Sequence, residues 1–209
     1  MEQHLETPLH KVLAVIQDRT VMHSSYFGIQ TQKHPYDFWV YQELLFELQP
    51  DVIVEIGNLR GGSILALAHL CDNLGKGRLI GVDISHAHIA PIVRAHPRIT
   101  LIEGDACAMF EAVSHLITPA DSVLVIEDSS HTFDNTLNVL NTYAPLIKVG
   151  GYFIVEDSIC HHGIEVGPNP GPYEAIDAFL AMHWNFQSDR SREAFMITWN
   201  PKGYLKRIR

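Results

Sequence analysis

The residues able to do chemistry come in short bursts directly after apolar runs. Glu127-Asp128-Ser129-Ser130-His131 follows Ser-Val-Leu-Val-Ile, and Glu156-Asp157-Ser158 follows Tyr-Phe-Ile-Val. If those runs are neighbouring strands, Asp128, Glu156 and Asp157 meet in one crevice. Three carboxylates there repel one another unless a cation neutralises them. Oxygen-only ligands without clustered cysteine suit Mg²⁺, Mn²⁺ or Ca²⁺ rather than zinc. The competing reading makes Asp128 and Ser129 helix N-caps. That alternative is weaker for Glu156-Asp157, because Cys160, His161, His162, Gly163 and Pro168 read as loop. His131, three residues after Asp128, is the candidate general base; otherwise it is an ordinary histidine at a helix start.

Three further bursts stand upstream. Glu55-Ile-Gly57-Asn-Leu-Arg-Gly61-Gly62-Ser63 closes one apolar run and opens a helix-like segment. Glycines there allow a ligand to approach the backbone, and a helix N-terminus can host a polar group. The spacing is not G-x-G-x-x-G, which weakens a dinucleotide reading and suits the turn of S-adenosylmethionine-dependent enzymes; a ligand-free tight turn is the plainer alternative. Asp83, 26 residues after Gly57 (83 − 57), ends the next run. It could accept from both hydroxyls of a ribose, in NAD or in S-adenosylmethionine. Asp105, in Glu103-Gly-Asp-Ala106, could meet an adenine amino group, cap the next helix, or do both.

The elements that must position these groups follow from the texture of the chain. Val52–Ile56, Arg78–Val82, Ile99–Ile102, Ser122–Ile126 and Tyr152–Val155 are strand-length and rich in Val and Ile. Helix-like segments near 63–74, 88–95, 106–117 and 133–147 separate them. This alternation predicts a mostly parallel sheet covered on both faces, with ligands outside the carboxyl ends of its strands. A helix over 172–183 and a closing hairpin of Asn185–Ser188 with Phe195–Trp199 complete the expected sheet. Upstream, the spacing predicts a helix over 8–20, a polar aromatic connector from Val21 to Pro35, and a helix from Tyr36 to Leu48 stopped by Pro50. We therefore read residues 1–50 as a helical extension and 51–209 as the cofactor-binding domain.

With these positions in hand, the chain resembles the cephalosporin hydroxylase / rhamnosyl O-methyltransferase family of class I S-adenosylmethionine-dependent methyltransferases. The resemblance rests on Lys33-His-Pro-Tyr-Asp-Phe-Trp39, Tyr41-Gln-Glu-Leu-Leu45, Pro50-Asp-Val-Ile-Val-Glu-Ile-Gly57 and Gly61-Gly62-Ser63. It continues through Asp128-Ser-Ser-His131, Tyr143-Ala-Pro145, Val155-Glu-Asp157, Gly171-Pro-Tyr-Glu-Ala-Ile-Asp-Ala-Phe179 and Asn200-Pro-Lys-Gly-Tyr-Leu205. It implies an α/β, Rossmann-like, seven-stranded mostly parallel sheet with an antiparallel closing strand and helices on both faces. S-adenosylmethionine would lie over Gly57–Gly62, with Asp83 at the ribose and Asp105 near the adenine. Glu55, Ser63, Ile84, Ala106 and Asp128 complete the expected cofactor set. A metal, Mg²⁺ or another hard divalent cation, would fall on Asp128, Glu156 and Asp157. Hydroxylation is disfavoured, because no facial triad is recognisable. The implied reaction is in-line methyl transfer to a hydroxyl of a saccharide or specialised metabolite, the cation orienting the acceptor and lowering its pKa.

Composition narrows the alternatives. The 209 residues carry 15 Lys and Arg against 24 Asp and Glu, a formal charge of −9 that argues against nucleic-acid binding. Cys71, Cys107 and Cys160 form no paired spacing, which fits a reducing compartment. The acidic N-terminus does not read as a signal peptide and no apolar run reaches membrane length, so a cytoplasmic protein without membrane partners is expected. The helical N-terminus offers an apolar surface on which a homo-oligomer could pack. Of 13 histidines, His161 and His162 could line the acceptor pocket or be solvated loop. His86 and His88 could touch the adenosine or face solvent. His34, beside Tyr36 and Trp39, could lid the cofactor or pack the N-terminal helices. An NAD-dependent oxidoreductase and a non-catalytic cofactor-binding accessory protein are the competing functions.

Overall fold

The computed structural model describes Glu2 and residues 5–209. The chain opens with α1 (Leu9–His23), a small hairpin of β1 (Ser25–Tyr26) and β2 (Ile29–Gln30), and α2 (Pro35–Leu48). Next come β3 (Val52–Ile56), α3 (Gly62–Leu74), β4 (Arg78–Asp83), α4 (Pro91–Arg94), β5 (Ile99–Glu103) and α5 (Phe110–His115). The second half holds β6 (Val123–Glu127), α6 (Phe133–Tyr143), β7 (Tyr152–Val155), α7 (Pro172–Met182), β8 (Phe186–Ser188) and β9 (Tyr204–Arg207).

Seven strands form one sheet in the order β5-β4-β3-β6-β7-β9-β8. The five strands from β5 to β7 run parallel, and β9 is antiparallel to both its neighbours. β3, β6 and β7 are buried along their whole length, so they read as continuous apolar runs rather than alternating ones. Their side chains still alternate between faces. Val52, Val54 and Ile56 join a core with Val139, Leu140, Ile176 and Phe179 of α6 and α7. Ile53, Leu124, Ile126 and Ile154 point the other way, onto Leu44, Leu45, Ile64 and Leu65 of α2 and α3. The chain winds outward from β3 to β5 and then returns to β6. The gap between β3 and β6 is thus the topological switch point, where such sheets bind ligands.

One expectation needs correcting. The closing hairpin pairs β8 with β9 at 204–207 and not with Phe195–Trp199. The polar groups of the latter stretch are taken elsewhere: Trp199 N donates to Asp37 Oδ2 (2.8 Å) and Thr198 Oγ1 to Asp37 Oδ1 (2.5 Å). Ile159 N meanwhile donates to the Trp199 carbonyl (3.1 Å). The connector after α1 carries the β1–β2 hairpin. That hairpin rests directly on α3: a Cβ at Gly62 would lie 2.5 Å from Thr31 Cγ2 and 2.6 Å from the Ile29 carbonyl oxygen.

Candidate active site

The site grows out of the switch point. Gly57 N donates to the Val82 carbonyl and Asp128 N to the Ile56 carbonyl, both at 2.8 Å, so the strand ladder continues into the ligand turns. Gly57 holds φ +89°, and a Cβ there would lie 2.6 Å from the Asp128 carbonyl carbon. Only glycine lets the two turns pack this closely. Outside them lies a cavity of about 560 Å³, within the range of small-molecule sites.

Of the expected cofactor residues, Gly57, Ser63, Asp83, Ile84, Asp105, Ala106 and Asp128 line this cavity. Asp83 Oδ2 accepts from Asn58 N (2.7 Å) and Leu59 N (3.0 Å), and Oδ1 from Ser85 N (3.2 Å). The carboxylate therefore shapes the glycine turn while its remaining lone pairs face the cavity. Ile84 is 73% exposed at the rim, a flat apolar surface for a ring. Asp105 Oδ1 accepts from Ala108 N (2.9 Å), which leaves Oδ2 for a ligand. The structure does not bring Glu55, Gly61 or Gly62 to the cavity wall. Glu55 is fully buried, accepting from Ser63 Oγ and from Asn58 Nδ2 (3.0 Å). Gly61 sits under Ile89 and Val93, and Gly62 under the hairpin.

The neighbouring tips of β6 and β7 bring Asp128, Glu156 and Asp157 together, but through two cationic side chains. The Lys33 ammonium, from the segment between β2 and α2, lies 2.6 Å from Asp128 Oδ2 and also contacts Glu156 Oε1. His131 Nε2 lies 3.1 Å from Asp128 Oδ1 and 3.3 Å from Asp157 Oδ2. Among the described residues, Asp128, His131 and Asp157 form a group whose ligand atoms all approach within 4.8 Å of one another. Glu156 instead turns its carboxylate to Lys33.

Burial works against the Lys33 charge, yet the fields of Asp128, Glu156 and Glu55 hold its pKa above the usual lysine range. Burial likewise opposes the His131 charge, but Asp128 and Asp157 prevail and push the imidazole up to about 9. Burial would raise Asp128; Lys33 and then His131 outweigh it and keep the carboxylate below its ordinary value. Glu156 is pushed well up by burial and by the Asp128 charge, despite Lys33. Burial raises Asp157 to about 6 against the pull of His131. Asp128 and Asp157 offer carboxylate oxygens, the group holds no thiolate, and acids outnumber cations, so the carboxylates can serve as ligands with His131 left beside them. Such a set fits a hard divalent cation.

Gln17, Thr20 and Val21 of α1, with Thr31, Gln32 and Trp199, also line the cavity. Neither these nor Lys33 carried a site role in the sequence reading; the surplus of acids over basic neighbours was the one signal that a distant cation was needed. Gln17 is held by the Trp199 indole, which donates to its Oε1. The other histidines separate cleanly. His88 lines the cavity, whereas His86 is buried with Nε2 3.1 Å from Asn58 Oδ1. His34 stacks on Trp199 at 4.1 Å and so packs the N-terminal segment rather than lidding the cavity. His161 binds Glu165 and the Gly167 carbonyl, and His162 binds Glu174 and stacks on Tyr173; neither reaches the cavity wall.

Residues 18–208 match the family model described as Rhamnosyl O-methyltransferase/CmcI. The chain belongs to this family. A rhamnosyl O-methyltransferase of Mycobacterium tuberculosis is 35% identical over 191 residues, covering 88% of this chain and 78% of that one. Its Mycobacterium leprae counterpart is 34% identical, with 88% and 83% covered. Among solved structures, a CmcI structure with Mg and SAM superposes with TM-score 0.71 at 25% identity, over 89% of this chain and 77% of that one. An apo TDP-rhamnose 3'-O-methyltransferase of calicheamicin biosynthesis shares the fold at TM-score 0.52 and 19% identity, over 70% and 69%. Family membership and the superposition agree with the seven-stranded, Rossmann-like architecture and remove the main reason for an oxidoreductase reading.

Proposed function

We propose that the protein is an S-adenosylmethionine-dependent O-methyltransferase acting on a hydroxyl of a small sugar-like acceptor, assisted by a hard divalent cation. The observation that carries this reading is one cavity holding both halves of the chemistry. The glycine turn, Asp83 and Asp105 stand on one side, and the Asp128–His131–Asp157 group on the other. The relatives' activity, named as rhamnosyl O-methylation, and the Mg and SAM bound to CmcI support it.

S-adenosylmethionine would supply the sulfonium methyl, and a divalent cation the Lewis acidity that polarises the acceptor hydroxyl. Asp83 and Asp105 would hold the adenosine, and fixing donor and acceptor in one cavity would lower the orientational cost of transfer. Asp128 and Asp157 would hold the cation, with Glu156 behind them. His131 accepts the hydroxyl proton at Nε2. It can do so only as neutral imidazole, so the charges of Asp128 and Asp157 must be engaged elsewhere when it acts. Gln17, Thr20, Thr31 and Gln32 offer amides and hydroxyls without fixed charge, a wall suited to a neutral polyol. A vicinal diol, as on a deoxyhexose, would suit chelation. Among the described residues no helix is long and apolar enough to cross a membrane. A cytoplasmic site of action fits the three free thiols.

Calorimetric titration with S-adenosylmethionine, with and without Mg²⁺, tests the cofactor. Transfer of labelled methyl to rhamnosides and to nucleotide-linked rhamnose tests the acceptor. Saturable binding and a labelled sugar ether are expected; no binding with either titrant would overturn the reading. An accessory, non-catalytic role would instead show binding with no transfer to any hydroxylated acceptor and no effect of Asp128→Asn in the cell.

A further inference from the structure

We propose that Lys33 is a resident counter-cation that occupies the inner half of the carboxylate cluster and competes with the divalent cation for Asp128 and Glu156. The inference rests on the cation reading above and adds what controls cation entry. Lys33 is 6% exposed, and its ammonium touches one oxygen of Asp128 and one of Glu156, from the tips of adjacent strands. It is separated in sequence from these partners by 95 and 123 residues, so nothing local places it there.

The Lys33 ammonium takes one oxygen of each carboxylate, Asp128 Oδ2 and Glu156 Oε1. A divalent cation on the same two groups would lie a few ångströms from a second desolvated cation in a poorly screened site, so each weakens the hold of the other. The converging ligand group is Asp128, His131 and Asp157, while Glu156 is withheld from it by Lys33. A cation held jointly by Asp128, Glu156 and Asp157 therefore pushes the Lys33 ammonium away from the two carboxylates. Divalent affinity is then set by the difference between the metal's pull and the two ion pairs that it breaks. The same ion pairs hold the acids together when no metal is supplied, since removing one partner from a buried pair leaves an uncompensated charge.

Binding of Mn²⁺, followed by calorimetry and by loss of the free-ion electron paramagnetic signal, tests this on the full chain. Lys33→Met is expected to bind Mn²⁺ at least tenfold more tightly than the unsubstituted protein. In EDTA it should melt lower than the unsubstituted protein, and Mn²⁺ should raise its Tm more. Adding Asp128→Asn to that variant should abolish the gain. A measurement on the unsubstituted protein covers failure of the variant to fold. Reductive methylation with labelled formaldehyde should spare Lys33 in EDTA and modify it in saturating Mn²⁺, read by peptide mass. Equal or weaker Mn²⁺ affinity in Lys33→Met, or Lys33 equally protected in both conditions, overturns the competition and leaves the cation reading standing. Absence of saturable Mn²⁺ binding in both folded proteins overturns the cation reading itself, and this inference with it.

Discussion

Gly57→Ala separates two effects that a glycine turn usually confounds. At φ +89° an alanine carries the left-handed penalty, about 1–2 kcal/mol. Its Cβ would also lie 2.6 Å from the Asp128 carbonyl carbon and 3.0 Å from Ser129 Cα, where ordinary contact begins near 3.4 Å. Both obstacles are backbone, so relief must come from shifting the β6 turn, an overpacking cost of about 1–3 kcal/mol. The combined loss, at ~2–4 °C per kcal/mol for a domain of this size, lowers Tm by roughly 5–15 °C. Gly150→Ala is the control: it has φ +88° and nothing within 4 Å of the position its Cβ would take, so it carries the backbone penalty alone. The shift at Gly57 also moves Asp128 against the cofactor wall, and a displacement near 1 Å costs about 10²-fold in turnover. Differential scanning calorimetry of both variants and titration with S-adenosylmethionine provide the readouts. If Gly57→Ala melts together with Gly150→Ala and binds the cofactor as the parent does, the close approach of the two turns is not what the glycine serves.

His131→Ala should lower kcat by about 10²–10⁴-fold while S-adenosylmethionine affinity, measured by calorimetry, stays within a factor of three or so; full turnover across pH 5–9 would remove His131 from the chemistry. Asp37→Ala strands the Thr198 hydroxyl, the Trp199 amide and the Tyr204 hydroxyl, which Asp37 now accepts from. It should cost about 3–5 kcal/mol in urea unfolding, and a loss below about 1 kcal/mol would contradict that accounting. Asp51 accepts from Ser122 N (2.8 Å) and Ser122 Oγ (2.7 Å) and pairs with Lys76, and the Ser122 bonds hold its pKa well below the usual carboxylate value. A folded-state pKa depressed in this way stabilises above the unfolded value near 4 and is lost as pH falls through the folded value. Asp51→Asn should therefore cost about 1 kcal/mol at pH 7 and flatten the acid limb of a stability-versus-pH series below pH 4; superimposable acid limbs would refute it.

How much of this was legible beforehand depends on the range of the interaction. Asp128 and Glu156-Asp157 could be placed together because each ends an apolar run, and parallel neighbours bring such ends side by side. Asp83 and Asp105 were found by the same rule. Gly61 and Gly62 show its limit: a glycine marks close approach, but the pattern does not say whether a ligand or the β1–β2 hairpin does the approaching. The last strand was misplaced because Phe195–Trp199 is as apolar as a strand. Its backbone is nevertheless held by the side chain of Asp37 and by Ile159, and Asp37 lies more than 160 residues away. Lys33 was quoted among the family-like residues without a role for the same reason. A buried charge acquires meaning only from partners that the fold brings to it.

The Asp37 hub has a kinetic consequence. Its acceptors are filled by Thr198, Trp199 and Tyr204, so the start of α2, next to the segment carrying Lys33, is tied to residues made more than 160 positions later. During synthesis, at about 5–20 residues per second, residues 1–197 are translated before those partners exist. Contacts spanning the whole chain form late and slow folding, because loop closure must precede any reward. The nascent protein would therefore carry its five parallel strands but lack β9 and a finished catalytic mouth. Emergence of residues 198–204 from the ribosome becomes the event that completes it, and a nascent chain stalled short of Thr198 should bind cofactor weakly however well its parallel strands have formed.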